Sequence, residues 1–297
     1  MMQDAMNVRM QADIKLIEDT MSALLPPRTD CAQRKLVDAI YYSLEAGGKR
    51  IRPMLAVEFC RICGGTDDMV LPAACALELY HTSTLIHDDL PEMDNDVLRR
   101  GKPSCHIAYG TATALLAGDT LMMLPFAWIA NTETIDDTRK IALVRELAEA
   151  GGLYGACGGQ QIDLQNENRT DVTAEELEEM YSYKTGALLV AGCRMGCIAA
   201  GADETTIAIA ESYAKKIGLA FQIVDDILDV TADEKALGKP VGSDVEQNKN
   251  TFVSLYGIEQ AKEKARLLTE EAVSLLSKLP DSEFLRALTE FLLTRQF

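Results

Sequence analysis

Apolar residues recur at the spacing of an α-helix along nearly the whole chain, and this pattern constrains the fold more than any other feature. No segment alternates apolar and polar residues as a half-buried strand does. We therefore predict one all-α domain over residues 1–297, built as a single large bundle of ten or more helices. The predicted helices are residues 5–24, 31–46, 53–63, 68–90, 106–130, 136–150, 173–183, 184–200, 203–230, 259–279 and 282–296. Residues 233–249 are polar and contain glycine, which predicts a loop.

Composition excludes several classes of partner. The chain has 46 acidic and 29 basic side chains, a formal net charge of −17 that repels nucleic acids and anionic membrane surfaces. Residues 111–130 are apolar enough to resemble a membrane span. Asp119 lies near their centre, where a carboxylate in an inserted helix costs about 2.5–3.5 kcal/mol. We therefore expect a buried core helix there and no membrane span.

The eight cysteines bear on the cellular compartment. The N-terminal segment lacks the apolar core of a signal peptide, so we expect reduced thiols and a cytoplasmic protein. Cys60 and Cys63 have the spacing of half a zinc or redox site, but no second CxxC or His pair follows them. We expect these two thiols to pack in the core instead.

Two clusters of aspartates carry the chemistry. The first contains Asp88, Asp89 and Asp94 at the end of a long apolar helix, where Pro91 predicts a bend that returns Asp94 toward Asp88. The second follows another apolar run, and helical geometry places its members on one face. Its members are Asp225, Asp226 and Asp229.

Each cluster alone is compatible with surface acids at a helix end, but two clusters flanked by apolar residues favour a functional site. Carboxylates in such surroundings repel one another unless divalent cations neutralise them, and hard oxygen ligands indicate Mg²⁺. Basic residues are concentrated in a few segments of this acidic chain, and Arg and Lys together with Mg²⁺ form a site for diphosphates. These basic residues are Lys49, Arg50, Arg52, Arg99, Arg100, Lys102, Lys184 and Lys239.

Six motifs occur in order between residues 47 and 244: GGKRIRP, DDLPEMD followed by RRGKPS, GGQQIDL, KTGALL, FQIVDDILD and LGKPVGSD. Together they resemble the trans-isoprenyl diphosphate synthases, most closely the bacterial farnesyl and plant-type geranylgeranyl types. The resemblance implies helices arranged around a central substrate cavity. It also implies a prenyltransferase that condenses isopentenyl diphosphate head-to-tail with dimethylallyl, geranyl or farnesyl diphosphate.

The resemblance also assigns roles to single residues. The metal ligands would be Asp88, Asp89, Asp94, Asp225 and Asp229, and the ions Mg²⁺, about three per active site, with Mn²⁺ as a substitute. Isopentenyl diphosphate would be bound by Lys49, Arg52, His81 and Arg100. The allylic diphosphate would be bound by Arg99, Lys184, Thr185, Gln222, Lys239 and Lys249. The catalytic set would be Asp88, Asp89, Arg99, Lys184, Asp225 and Lys239.

These charges predict the mechanism. Mg²⁺ with Lys and Arg stabilises the diphosphate leaving group, the allylic C–O bond ionises, and the cation attacks the double bond of isopentenyl diphosphate. The resemblance implies that the departing diphosphate accepts the proton. His87, His106 and Asp119 have no assigned role. Two alternatives are weighed: a class I terpene cyclase, and a non-catalytic subunit of a heteromeric synthase. The complete DDxxD at 225–229 and the Lys49–Arg52 segment favour chain elongation.

Product length and assembly are further expectations. The growing tail would run beside the helix that carries Asp88, so Ser83, Thr84 and Tyr80 would determine chain length. Ser83 is small where bacterial farnesyl synthases carry an aromatic residue, and Tyr80 could close the tunnel about one turn, or about 5.4 Å, deeper. We therefore favour a geranylgeranyl product over a farnesyl product, with both open. The resemblance also implies a homodimer.

Overall fold

The computed structural model describes residues 2–167, 169–231 and 250–293. Within these ranges there are twelve α-helices of eight or more residues and two of five residues. The helices are α1 Met2–Leu24, α2 Arg34–Leu44, α3 Ile51–Ile62, α4 Asp67–Asp88, α5 Cys105–Tyr109, α6 Thr111–Ala130, α7 Asp137–Gly151, α8 Ala156–Asn166, α9 Ala174–Tyr181, α10 Ala187–Ala200, α11 Glu204–Thr231, α12 Phe252–Tyr256, α13 Ile258–Leu276 and α14 Glu283–Leu293. A short antiparallel hairpin joins β1 Leu98–Arg99 to β2 Lys102–Pro103. The predicted all-α class is confirmed.

Several local predictions differ from the structure. The segment predicted as one helix over 106–130 is divided into α5 and α6 by Gly110, whose φ is +88°. The predicted boundary between residues 183 and 184 is instead a π-helical turn, Ser182–Gly186, that runs directly into α10. Helices α8 and α12 and the β1–β2 hairpin were not predicted. The predicted loop 233–249 lies outside the described residues.

Helix α4 is buried in the centre of the bundle. It is apolar around most of its circumference, as expected for a helix with neighbours on several sides. It packs against α3, α6 and α10, while α11 packs against α10 and α13. Phe59 of α3 and Tyr213 of α11 are fully buried with ring centroids 5.6 Å apart, which joins the two halves of the core. The C-terminal end of α4 and the middle of α11 thereby lie in one bundle.

Helices α4 and α6 are both long and apolar enough to cross a membrane by length and composition alone. For α4, 72% of the apolar window is buried inside the protein, as expected for a core helix, but for α6 only 39% is buried. Leu115, Leu116 and Met123 of α6 are exposed. The expectation of a buried helix over 111–130 is thus met on one face only. Asp119 is exposed and lies 3.6 Å from Nε2 of His87.

All eight cysteines are free thiols. Cys60 is buried, and burial raises the pKa of its thiol to about 12. Cys63 is half-buried with its Sγ 3.8 Å from Sγ of Cys197. Cys60 and Cys63 therefore pack between α3 and α10, as the sequence predicted, whereas Cys31 and Cys157 are exposed.

Candidate active site

The first aspartate motif lies where α4 ends and the chain turns back. Asp88 is the last residue of α4, and Pro91 lies in the turn that follows. The backbone N–H of Asp94 donates to the carbonyl oxygen of Asp88 at 2.9 Å. This bond returns Asp94 to the end of the helix, in agreement with the predicted bend.

Asp89 is buried, whereas Asp88 is half-buried. It is 2% exposed and accepts bonds from Nε of Arg99 at 2.9 and 3.2 Å. Nη2 of Arg99 also donates to Asp89 and, at 3.3 Å, to Asp96. Burial raises the pKa of Asp89, and Arg99 opposes that rise. Here Asp89 neutralises Arg99, and its role as a metal ligand stays a prediction.

The β1–β2 hairpin delivers Arg99 and Arg100 to this region. Arg100 and Gly101 form a two-residue turn with φ of +53° and +76°, the left-handed pair that a tight hairpin requires. Arg99 lies in β1 and pairs with Lys102 in β2. Nη1 of Arg100 donates to the carbonyl oxygen of Gly47. The hairpin therefore connects the first aspartate motif to the glycine-rich segment before α3.

The second aspartate motif occupies the last two turns of α11. Asp225 is half-buried, and Asp229 is 2% exposed. Oδ2 of Asp226 accepts hydrogen bonds from the hydroxyl of Tyr181 at 2.6 Å and from the backbone N–H of Phe252 at 2.8 Å. Asp226 thus joins α11 to α9 and α12, which is a structural role. Asp226 is not among the predicted metal ligands, and the shared face of the three carboxylates stays a prediction.

The donor set fits Mg²⁺ shared with a phosphorylated ligand. Within the described ranges, no group of three or more His, Cys, Asp or Glu side chains lies close enough to hold a metal ion by itself. Mg²⁺ commonly takes one or two carboxylates and completes its shell with water and phosphate oxygens. Asp88 and Asp94, at the end of α4 and in the turn after it, and Asp225 of α11 can supply one or two carboxylates to each ion, which meets that requirement.

Lys184 lies close to the carboxylates of the first aspartate motif. It lies in the π-helical turn Ser182–Gly186, and its Nζ donates to Oδ2 of Asp163 at 2.6 Å. Burial lowers the pKa of Lys184, but the surrounding carboxylates outweigh burial and the pKa is raised. Those carboxylates are Asp88, Asp163 and Asp94. The side chain therefore stays charged next to the Asp88 motif.

The glycines of the GGQQIDL motif explain how α8 approaches this turn. A Cβ on Gly159 would lie 2.1 Å from the backbone nitrogen of Lys184, so only glycine allows the contact. Asp163 is four residues further along the same helix and bonds the Lys184 side chain. Of the other predicted allylic-side residues, Thr185 lies half-buried in the same turn and Gln222 lies half-buried one turn before Asp225. Lys239 and Lys249 lie outside the described residues.

A cationic cluster lies around the start of α3. Nη1 of Arg52 is 3.3 Å from Nε2 of His81, and Nε of Arg52 is buried with no hydrogen-bond partner among the described residues. Burial lowers the pKa of Arg52, whereas Glu78 and Asp225 oppose that shift. Lys49 is exposed beside them. This arrangement of donors suits a multiply charged anion such as a diphosphate.

Comparison with known proteins agrees with this geometry. A sequence model of the polyprenyl synthetase family matches residues 33–287. The chain is a member of that family. It is 45% identical to the geranylgeranyl diphosphate synthase of Cyanophora paradoxa over 87% of this chain and 85% of that one. It is 43% identical to the farnesyl diphosphate synthase of Haemophilus influenzae, over 88% and 89% of the two chains.

The polyprenyl synthetase fold is shared with solved structures. One is a geranyltransferase from Helicobacter pylori complexed with magnesium and isoprenyl diphosphate, with a TM-score of 0.81, 34% identity and 93% of each chain covered. The present chain is thus an isoprenyl diphosphate synthase, a prenyltransferase of isoprenoid biosynthesis. The cyclase and non-catalytic alternatives have less support, since the relatives are synthases over most of their length.

The sequence does not predict the buried ion pair beside the cationic cluster of this polyprenyl synthetase. Arg50 was grouped with the other cations of its segment, but it is buried and turned toward Glu78. Glu78 lies in the apolar α4 only three residues before His81. A lone carboxylate in such a run was the available signal, because a buried charge requires a partner.

Proposed function

We propose that this enzyme condenses isopentenyl diphosphate with allylic diphosphates, and that its two aspartate motifs bind the ions that carry the allylic diphosphate. One observation carries the proposal: each motif is matched with a cation from a different element. The charges of Asp88 and Asp94 raise the pKa of Lys184, and the charge of Asp225 opposes the lowering of the pKa of Arg52 by burial. Mg²⁺, when bound, neutralises the diphosphate leaving group. We further propose about three ions per site, with Mn²⁺ as a substitute.

On the allylic side, Lys184 and Arg99 bind the leaving diphosphate. Lys184 stays protonated among carboxylates, so it supplies a fixed positive charge as the allylic C–O bond breaks. The electron pair of that bond leaves with the diphosphate. Thr185, Gln222, Lys239 and Lys249 complete the predicted set on this side.

On the other side, Lys49, Arg52, His81 and Arg100 hold isopentenyl diphosphate with its double bond toward the allylic carbon. The double bond donates its electrons to the allylic cation and a carbon–carbon bond forms. The new cation then loses a proton, which the departing diphosphate accepts. The surrounding apolar helices exclude water, which would otherwise quench either cation.

We propose a geranylgeranyl product, with Tyr80 as the floor of the tunnel that would hold the growing chain. Ser83 is fully buried and bonds back to the carbonyl oxygen of Tyr80 at 2.6 Å, so its small side chain does not project. Thr84 likewise bonds back to His81 at 2.8 Å. The Tyr80 hydroxyl donates to the carbonyl oxygen of Gly151 at 3.0 Å, which fixes the ring against α7.

The deciding experiment is product analysis. The enzyme is incubated with labelled isopentenyl diphosphate and each allylic primer, and the dephosphorylated products are separated by chromatography. We expect C20 alcohol from wild type, a product one isoprene unit shorter from Ser83→Tyr, and a longer one from Tyr80→Ala. A C15 product that neither substitution shifts contradicts Tyr80 as the floor.

We also propose a single domain over residues 1–297, a homodimer and a cytoplasmic location. The exposed apolar face of α6, formed by Leu115, Leu116 and Met123, supports association with a second copy. The eight free thiols, of which Cys31 and Cys157 are exposed, support a reducing compartment.

A further inference from the structure

Arg50 lies between two proposed diphosphate ligands, Lys49 and Arg52, but it is oriented into the protein. Its side chain is 1% exposed. Nη1 donates to Oε1 of Glu78 at 2.9 Å, and Nη2 donates to the carbonyl oxygen of Leu44 at 2.6 Å. Nε donates to Glu18 at 3.2 Å. One guanidinium group therefore joins α1, α2 and α4 at the point where α3 begins.

The backbone of this segment has a shape that side chains rarely allow. Gly47 has a φ of +84°, Gly48 of +150°, and Arg50, which has a Cβ, a φ of +50°. The left-handed region is uncommon for a residue such as arginine and persists only where the surroundings enforce it. The three bonds of the Arg50 side chain provide that constraint from inside. From outside, Arg100 packs so closely on Gly48 that a Cβ there would lie 2.9 Å from the guanidinium.

Glu78 serves the same cluster through its position and its charge. It is 2% exposed on α4, one turn before His81, so fixing Glu78 also fixes the turn that presents His81. Its charge also opposes the lowering of the pKa of Arg52 and Arg100 that burial causes. Buried cations of this kind require a counter-charge when no diphosphate is bound.

We infer that Arg50 and Glu78 form a buried positioning pair that sets the geometry with which Lys49, Arg52 and His81 bind isopentenyl diphosphate. Neither residue contacts the substrate in this proposal. Arg50 fixes the backbone between the two ligands that precede and follow it, and Glu78 fixes the helix that carries the third. The inference rests on the proposed assignment of Lys49, Arg52 and His81 to isopentenyl diphosphate.

The test separates substrate binding from stability. Steady-state rates are measured with isopentenyl diphosphate varied at saturating geranyl diphosphate, and then with the two exchanged, alongside melting temperatures. Arg50→Met and the near-isosteric Glu78→Gln should each raise KM for isopentenyl diphosphate about 10–100-fold, as loss of a positioning contact does. KM for geranyl diphosphate should change less than about twofold, because the allylic residues lie on other elements.

Two further variants distinguish positioning from simple charge pairing. Arg50→Lys keeps the charge but cannot span three acceptors, so its KM should be intermediate. In the double variant Arg50→Met/Glu78→Met, apolar side chains replace the buried pair, so the melting temperature should recover while KM for isopentenyl diphosphate stays raised. Arg194→Met is the control: Arg194 pairs with Glu146 at 2.8 Å and with Glu211 at 2.7 Å. It should lower the melting temperature and leave both KM values unchanged.

The outcomes are decisive for each level of the proposal. If the Arg50 and Glu78 variants behave like Arg194→Met, or raise both KM values equally, the positioning pair is wrong. Arg52→Met tests the underlying assignment separately: without a raised KM for isopentenyl diphosphate, the proposed substrate site itself fails. If Arg52→Met raises that KM and Glu78→Gln does not, only the positioning inference fails. Glu78→Gln and Arg50→Lys carry the test if Arg50→Met does not fold.

Discussion

At the scale of single residues, the two neighbouring aspartates of each motif interact with different partners. The charge of Asp88 raises the pKa of Lys184, whereas Asp89, one residue later, is buried and accepts a hydrogen bond from Arg99. The charge of Asp225 opposes the lowering of the pKa of Arg52, whereas Asp226 accepts hydrogen bonds from Tyr181 and from the backbone of α12. Successive residues on a helix point about 100° apart, so the two aspartates of each pair meet different partners.

The proposed metal role of Asp88 and Asp225 predicts the effect of replacing either residue with alanine. Asp88→Ala and Asp225→Ala should lower kcat by about 10²-fold or more, because charge stabilisation of the leaving group is lost while the fold remains. Asp136→Ala, which removes an exposed helix cap on α7, should leave kcat unchanged. Activity assays with circular dichroism as a fold check test this. Full activity in EDTA contradicts the metal role.

His81 is predicted to stay neutral. Burial lowers its pKa well below the ordinary value, and Arg52, Arg100, Arg50 and Arg99 lower it further. An unfolded histidine takes up a proton near pH 6.5. The unfolded chain therefore binds a proton that the native state does not, so the stability linked to His81 is present above that pH and is lost as the pH falls below it.

His81→Gln should remove this dependence. We expect the loss in free energy of unfolding between pH 7 and pH 5 to be about 1–2 kcal/mol smaller than in wild type. Urea unfolding of wild type and the variant at the two pH values measures it. An unchanged loss in the His81 variant would mean that this histidine is protonated in the folded protein.

At the scale of helices and turns, the close contact between α8 and the π-helical turn Ser182–Gly186 positions Lys184, which we propose binds the allylic diphosphate. π-Helical turns are frequent at functional sites, and this one contains Lys184 and Thr185. Gly159 allows the backbones to touch, and Asp163 then reaches Lys184. Helix packing, rather than Lys184 alone, therefore determines where its charge lies.

Gly159→Ala should separate these backbones. The added Cβ would lie 2.1 Å from a backbone nitrogen that cannot yield, so we expect a loss of about 1–3 kcal/mol of stability and a raised KM for the allylic substrate. Gly186→Ala is the matched control, because its Cβ would meet only the carbonyl oxygen of Tyr181 at 3.4 Å. Thermal unfolding and steady-state kinetics test both. Equal effects of the two alanines would contradict the close-contact argument.

At the scale of the whole molecule, the surface carries an apolar face that one chain does not cover. Leu116 is 54% exposed and Met123 is 68% exposed, and they lie seven residues apart on the same side of α6. A contiguous patch of this kind is typical of an interface between protein chains.

We predict that the enzyme sediments at about twice the chain mass of 32.5 kDa at micromolar concentration. Leu116→Glu combined with Met123→Glu should shift it toward monomer, because two carboxylates would be buried at the interface. Val8→Glu, at a 71% exposed position on α1, is the control and should leave the mass unchanged. A fully active monomeric wild type contradicts the dimer.

The sequence by itself determined the all-α class, most helices and the chemistry of the aspartate and basic motifs, because helical periodicity and residue type are local properties. It did not predict α8, since Gly158 and Gly159 weaken helix propensity by about 1 kcal/mol each, and packing against neighbouring elements offsets that cost. Nor did it predict that Asp89 is buried against Arg99 while Asp88 is half-buried. Which partner each aspartate meets depends on segments that folding brings together, such as the hairpin that supplies Arg99 and helix α9, which supplies Tyr181. The tertiary structure alone decided those pairings, because burial of a charge is tolerated only where another chain segment supplies its counterpart.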